Sequence, residues 1–242
     1  MKKLIFCLVA VLGLTTACAQ KSYEVDEFKT KSGKTVKFHA LMHACIRIEM
    51  DGKEIQIDPV AKLGDRTVDY AAMPKADYIF VTHEHGDHYD AKSIKQLTGE
   101  KTQLVMNKRC ADMYGAGKVM TNGDKLQLAD MSVEAVPAYN YTEGHTQFHP
   151  KGRDNGYILT IDGLRIYIAG DTEDIPEMSK IKDIDIAFLP CNQPYTMTLD
   201  QLIRAAKVIK PKVLFPYHYG QTDLSGVPAQ LKDIDVRIRH YE

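Results

Sequence analysis

Five segments of β character run into side chains that can bind a metal ion or move a proton. YIFVT (residues 78–82) leads into His83-Glu84-His85-Gly86-Asp87-His88, and VEAVPAYN (133–140) leads toward His145 and His149. RIYIAG (165–170) ends on Asp171, KVLFPY (212–217) on His218, and IDIAFLP (184–190) at Cys191. In an extended segment residues two apart share a face, so His83 and His85 can present their imidazoles to one ion. Gly86 then lets the chain turn, which sends Asp87 and His88 toward a second position nearby. Imidazoles and carboxylates without a thiolate suit zinc and also accept manganese or iron. The set is larger than one ion needs. Two divalent ions roughly 3.5–4 Å apart, sharing a hydroxide and a bridging carboxylate, would use all of it.

Such a set needs rigid strand ends to hold it. Apolar alternation through residues 34–59 (Val36, Phe38, Ile46, Ile55, Ile57), broken at Asp51-Gly52, predicts a β-hairpin, and Asp162-Gly163 between residues 157–161 and 164–169 predicts another. Shorter strands are expected at 78–82, 103–106, 125–128, 132–136, 184–189, 212–215 and 236–238. Helical spacing appears in AKSIKQL after Asp90, a good N-cap. It appears again in LDQLIRAAKVIK, where Leu199, Leu202, Ile203, Ala206 and Ile209 form one apolar face ending before Pro211. Strands come first in a run and then alternate with helices, and strand, loop and helix recur in both halves. One mixed α/β domain accounts for this pattern.

The chain has 242 residues with 31 basic against 32 acidic side chains, nine His and no Trp. That size buries a sizeable core unaided, and the composition excludes disordered, collagenous and coiled-coil classes. A net charge of -1 gives no global basic field, so no nucleic-acid partner is expected. Residues 1–19 read as an export signal, with Lys2 and Lys3, an apolar run from Leu4 to Leu14 and small residues after it. The run is shorter than the roughly 20 residues of a membrane span. Ala17-Cys18-Ala19 fits cleavage before Gln20, whereas Thr15-Thr16-Ala17-Cys18 resembles a bacterial lipoprotein box and is slightly preferred. The expected location is therefore the periplasm or the lipid-anchored face of the cell envelope, with contact to membrane only through a lipid on Cys18. Outside the signal, Cys45, Cys110 and Cys191 are odd in number and widely spaced, which predicts buried thiols or one incidental bridge rather than a disulfide framework.

The pattern HxHxDH from His83 to His88, followed by a later His, an Asp and a final His, resembles the metallo-β-lactamase superfamily. HALMHACIRIEMDGKEIQIDP, FHPKG, GYILTIDGLRIYIAGDT and PYHYG are similar to its branch of small metal-dependent hydrolases that includes the ascorbate-6-phosphate lactonase-like proteins. The resemblance covers about residues 33–220 and implies a four-layer αββα sandwich, within a single metallo-hydrolase domain over residues 20–242. It implies that His83, His85 and a later His hold a first ion, that Asp87, His88 and His218 hold a second, and that Asp171 bridges them. His145 and His149 both compete for the third His, and the FHPKG match favours His149. Asp87 is the implied catalytic residue, orienting a bridging hydroxide and accepting its proton.

The cofactors implied are two divalent metal ions, zinc foremost, with manganese or iron also suited. The activity implied is hydrolysis of an ester, lactone, amide or phosphodiester in a small-molecule substrate. Lys151 beside His149 would suit an anionic one. Tyr139, Asn140, Tyr195 and Thr196 lie in loops that could reach it. Asp58 is expected to cap a turn or hold a ligand His, and His43 to stand beside the site. A non-catalytic metal-binding envelope protein fits less well, since structural sites are usually closed, four-ligand and often built with Cys. A nucleic-acid-processing hydrolase of the same fold is disfavoured by the export signal and near-neutral charge.

Overall fold

A computed structural model describes residues 23–241, so the expected export signal and Cys18 lie outside the described residues. The first half gives β1 (Glu24–Lys29), β2 (Thr35–Met42), β3 (Cys45–Met50), β4 (Lys53–Ile57), a small ribbon of β5 (Lys62–Leu63) and β6 (Arg66–Thr67), then β7 (Ala76–Val81), α1 (Ala91–Leu97), β8 (Thr98–Met106), α2 (Lys108–Tyr114) and β9 (Lys118–Val119). The second half gives β10 (Lys125–Gln127), β11 (Ser132–Ala138), β12 (Asp154–Ile161), β13 (Leu164–Ile168), β14 (Ile186–Pro190), α3 (Leu199–Ile209), β15 (Val213–Tyr217), α4 (Val227–Gln230) and β16 (Asp235–Val236).

Each half forms a seven-stranded sheet, ordered β1-β2-β3-β4-β7-β8-β9 and β10-β11-β12-β13-β14-β15-β16. In both, four strands run as an antiparallel meander and the next three join in parallel. The recurrence of strands and helices in the two halves is thus a repeated topology, with α1 after β7 matched by α3 after β14.

The period of two explains how these sheets stack. In β7, Tyr78 and Phe80 enter the core between the sheets, while Ile79 and Val81 turn outward to meet Ile94 and Leu97 of α1 and Cys110 of α2. In β14, Ile186 and Phe188 face the same central core, while Ala187 and Leu189 meet Leu202, Ile203, Ala206 and Ile209 of α3. The layers run helix, sheet, sheet, helix: the expected αββα sandwich. Each fully buried Ile, Leu or Phe contributes roughly 1.5–3 kcal/mol. Thr198 opens α3 with a capping box to Gln201, and Lys210 closes it in the left-handed region just before Pro211.

Both expected hairpins form, at Asp51-Gly52 between β3 and β4 and at Asp162-Gly163 between β12 and β13. Among the elements that escape the sequence pattern are β1 and α2, besides the short β5, β6, β9 and α4. EVDEFK (β1) is an edge strand whose charges hide its alternation, and its buried Asp26 is held by Arg237 and Arg239 from the far end of the chain at 2.7–2.8 Å. KRCADMY (α2) is too short to show a helical period; Asn107 starts it by accepting from Cys110 N, and Gly115 ends it at φ 79°.

Close packing of β12 on the following strand gives a sharp prediction. A Cβ at Gly156 would meet Ala169 O at 2.7 Å and Ile168 O at 2.9 Å. Gly156→Ala must push two strands apart, at about 1–3 kcal/mol. Thermal unfolding is expected to move down by several degrees, given about 2–4 °C per kcal/mol for a domain of this size. An unchanged melt would mean the strands give way freely.

Candidate metal centre

The ends of β2, β4, β7, β13 and β15 meet at one edge of the sandwich, and the chain bends sharply after several of them. His43 after β2, Asp58 after β4 and His218 after β15 all take left-handed backbone, at φ 54°, 44° and 46°. Non-glycine residues pay about 1–3 kcal/mol for that conformation, a cost that clusters at functional sites. Gly170 supplies the same turn at φ 64° just before Asp171, with Asn155 O only 2.9 Å from where a Cβ would sit.

These turns gather two groups of side chains. His83, His85 and His149 form a triangle of imidazoles with ring centroids 4.7, 4.8 and 4.8 Å apart. Asp87, His88 and His218 form the second group together with His43: Asp87 Oδ2 lies 3.2 Å from His43 Nε2, 3.4 Å from His218 Nε2 and 3.8 Å from His88 Nε2. Asp171 stands between them. Its Oδ2 is 3.3 Å from His149 Nε2, 3.7 Å from His83 Nε2 and 3.2 Å from His218 Nε2, and its Oδ1 is 3.1 Å from His88 Nε2. All seven residues anticipated from the sequence come together.

The burial of this cluster tests whether a cation fits. His83 Nε2, His88 Nε2, His218 Nε2 and Asp171 Oδ1 are buried and lack a hydrogen-bonding partner; the 3.1 Å approach of His88 to Asp171 is out of line for one. Leaving a buried polar atom unsatisfied costs about 1–3 kcal/mol. Four such atoms converging on one place are what divalent cations would satisfy, and the imidazole and carboxylate donor set suits them.

Outer partners aim the rings. Asp58, wholly buried, lies 2.8 Å from His88 Nδ1 and accepts from Thr82 N and Thr82 Oγ1, each at 2.7 Å. Asp154 Oδ2 lies 3.0 Å from His149 Nδ1, and Thr82 Oγ1 lies 3.0 Å from His83 Nδ1. A carboxylate on Nδ1 places the proton there and leaves the Nε2 lone pair facing the cluster. Asp58 therefore fills the ring-holding role expected for it. Asp154 carries no motif in the sequence, where it lies two residues before GYIL; in the structure it opens β12.

Charge follows the same geometry. Burial pushes the His83 and His85 imidazoles below their usual range, toward the neutral form that binds metal. Burial alone would also lower His218, but Asp171 and Asp87 hold it up at about 9. Burial would raise Asp87, yet His88, His218 and His43 keep its carboxyl well below the carboxylate range.

The remaining candidates sort by contact. His145 turns away, its Nδ1 3.2 Å from the buried Glu173, which also accepts from Tyr141 N and Thr142 N. Lys151 is engaged: Nζ lies 2.8 Å from Glu177 and 3.2 Å from Tyr139 Oη, over the Tyr139 ring. Asn140 and Thr196 are buried and brace loops, Asn140 donating to Tyr195 O and Thr196 accepting from Asn192 N. Tyr195 is exposed and meets Phe148 edge to face at 5.0 Å. Cys45, Cys110 and Cys191 are buried thiols, as the odd spacing predicts.

Comparison with known proteins agrees with this architecture. The family described as Beta-lactamase superfamily domain matches residues 37–218. A UPF0173 metal-dependent hydrolase of Staphylothermus marinus is 34% identical over 167 residues, covering 66% of this chain and 70% of its own. Among solved structures, a candidate metal-dependent hydrolase from Parabacteroides distasonis superposes with a TM-score of 0.88 at 50% identity, covering 91% of this chain and 100% of that one. Igni18, a metallo hydrolase from Ignicoccus hospitalis, gives 0.71 at 28% identity, covering 84% and 94%. With two meander-plus-parallel sheets, helices on both outer faces and a histidine and aspartate cluster at the edge between them, the chain belongs to the β-lactamase superfamily and has the metallo-β-lactamase fold.

Proposed function

We propose that the protein is a metal-dependent hydrolase that uses two divalent metal ions, zinc foremost, to cleave an ester, lactone, amide or phosphodiester in a small-molecule substrate. His83, His85 and His149 would hold one ion and Asp87, His88 and His218 the other, with Asp171 shared. The observation that carries this reading is the position of the Asp171 carboxylate, within 3.1–3.7 Å of Nε2 of His83, His88, His149 and His218 at once. Bound ions would supply Lewis-acid polarisation of the oxygen under attack and a water whose pKa falls to about 7.

The chain's own residues set up the reaction. Asp87 is the partly exposed member of the second group, 29% open where His88 and His218 are buried, so its carboxylate reaches both the cluster and solvent. Held ionised, it serves better to orient the attacking water than to take its proton. Asp58 and Asp154 fix the rings of His88 and His149. Lys151 is exposed beside His149 and paired with Glu177 at 2.8 Å, which offsets part of the charge it could offer an anionic substrate. The signal-like residues 1–19 support export to the cell envelope, with Cys18 as the lipid anchor.

Elemental analysis of protein purified without added metal, combined with a panel of ester, lactone, phosphodiester and β-lactam substrates, tests the reading. Two equivalents of metal per chain and metal-dependent turnover are expected, with His149→Ala losing one equivalent and His145→Ala keeping both. One equivalent or none in the wild type, or a loss in His145→Ala alone, would contradict it.

A further inference from the structure

We propose that Glu84, the residue between His83 and His85, is a positioning residue: through Arg153 and Asp154 it fixes the third imidazole, His149, against the first ion. The inference rests on the two-metal reading above. With His83 and His85 on one face of an extended segment, the residue between them points to the other. Glu84 accordingly turns away from the cluster, with its side chain only 5% exposed, and its Oε1 lies 3.3 Å from Arg153 Nη1 and 3.2 Å from Arg109 Nε. Arg153 passes the contact on. Its Nε donates to Asp154 Oδ1 at 2.6 Å and its Nη2 to Asp154 Oδ2 at 2.8 Å and to Phe148 O at 2.7 Å. Asp154 Oδ2 in turn lies 3.0 Å from His149 Nδ1.

Stability gives no reason for this arrangement. Glu84 Oε2 is buried without a hydrogen-bonding partner, and a buried ion pair is commonly no better than an apolar pair of equal volume. The backbones are already joined without it: Asn107 donates to Thr82 O and Arg153 O, and Asn155 N donates to Thr82 O at 3.2 Å. What the Glu84 carboxylate adds is a fixed direction for the guanidinium fork, and so for Asp154 and the imidazole beyond it. The chain of contacts crosses from the β7 end of one sheet to the β12 start of the other, linking the two parts that must agree on where the first ion sits.

Metal-free protein titrated with zinc against a chromophoric chelator, and separately with cobalt(II) followed by visible absorption, tests this. In Glu84→Gln, an isosteric change, the affinity that vanishes in His149→Ala is expected to fall about 10–100-fold. The other affinity should stay within about threefold, and the cobalt spectrum of the weakened site should shift. Arg153→Met should do the same, and Glu84→Asp should restore part of the loss. Equal weakening of both affinities, or none, would overturn the proposal. A wild type that takes up no metal would overturn the two-metal reading and this inference together, whereas a wild type with two ions and an unshifted Glu84→Gln would overturn this inference alone.

Discussion

Replacing Asp171 with alanine is expected to reduce kcat/KM by on the order of 10³-fold or more and to leave less than two equivalents of bound metal. The carboxylate is 2% exposed and faces four imidazole nitrogens at 3.1–3.7 Å. At an effective dielectric of about 20, unit charges about 4 Å apart interact by about 4 kcal/mol. Removing the one anion that touches both groups therefore weakens both positions, where loss of any single histidine weakens one. Asp171→Asn separates charge from shape: it keeps the volume and one oxygen but not the charge, and should still lose at least about 10²-fold. Steady-state kinetics with metal analysis on both variants decide the matter. If Asp171→Ala retains two ions and turns over normally, the shared role of this residue is wrong.

The residues facing the cluster were legible because the chain writes them at strand ends in a fixed order. His83, His85, Asp87 and His88 lie within six consecutive positions, and Asp171 and His218 each close an apolar run. Alternation and the two Asp-Gly turns were likewise enough to place the hairpins β3–β4 and β12–β13, since a strand with one polar face shows its period. Strand β1 could hide it, because its partner charges, Arg237 and Arg239, lie more than 200 residues later. No local window shows that Asp26 is neutralised.

The same limit applies to the site. That His149 and not His145 joins the triangle depends on Asp154 and Glu173, which hold the two rings in opposite directions from different strand ends. Lys151 reads as a free cation in sequence and becomes a bound one only when the segment 176–180 brings Glu177 alongside. Asp58 was easier, since it closes β4 as Asp171 follows β13. Those two strands hold the same place in their sheets, fourth in each meander, so one topology delivers one carboxylate to the cluster and one behind it.

Stripping the metal is expected to lower Tm by about 8–16 °C for each ion lost, without unfolding the protein at 25 °C. A ligand that binds only the folded chain adds about 4 kcal/mol when its free concentration is 1,000 times Kd, and a domain of this size moves about 2–4 °C per kcal/mol. The fold should survive because its three apolar clusters, one between the sheets and one under each helical layer, are complete without the edge. The cluster also has a partial substitute for the cations. His88 is held well above its ordinary range by Asp171, Asp87 and Asp58 once their charges outweigh burial, and His218 is at about 9, so protons can neutralise part of the buried carboxylate charge. Protons cannot satisfy Nε2 atoms that have no acceptor in line, and that residual strain is what the metal relieves. Scanning calorimetry with and without a chelator, followed by return of zinc, manganese or iron at equal excess, measures the shift. The metal that restores the highest Tm is the preferred occupant. An unchanged Tm after verified removal would mean that the four orphaned atoms cost the apo protein nothing, and the physical case for cations at this edge would fail with it.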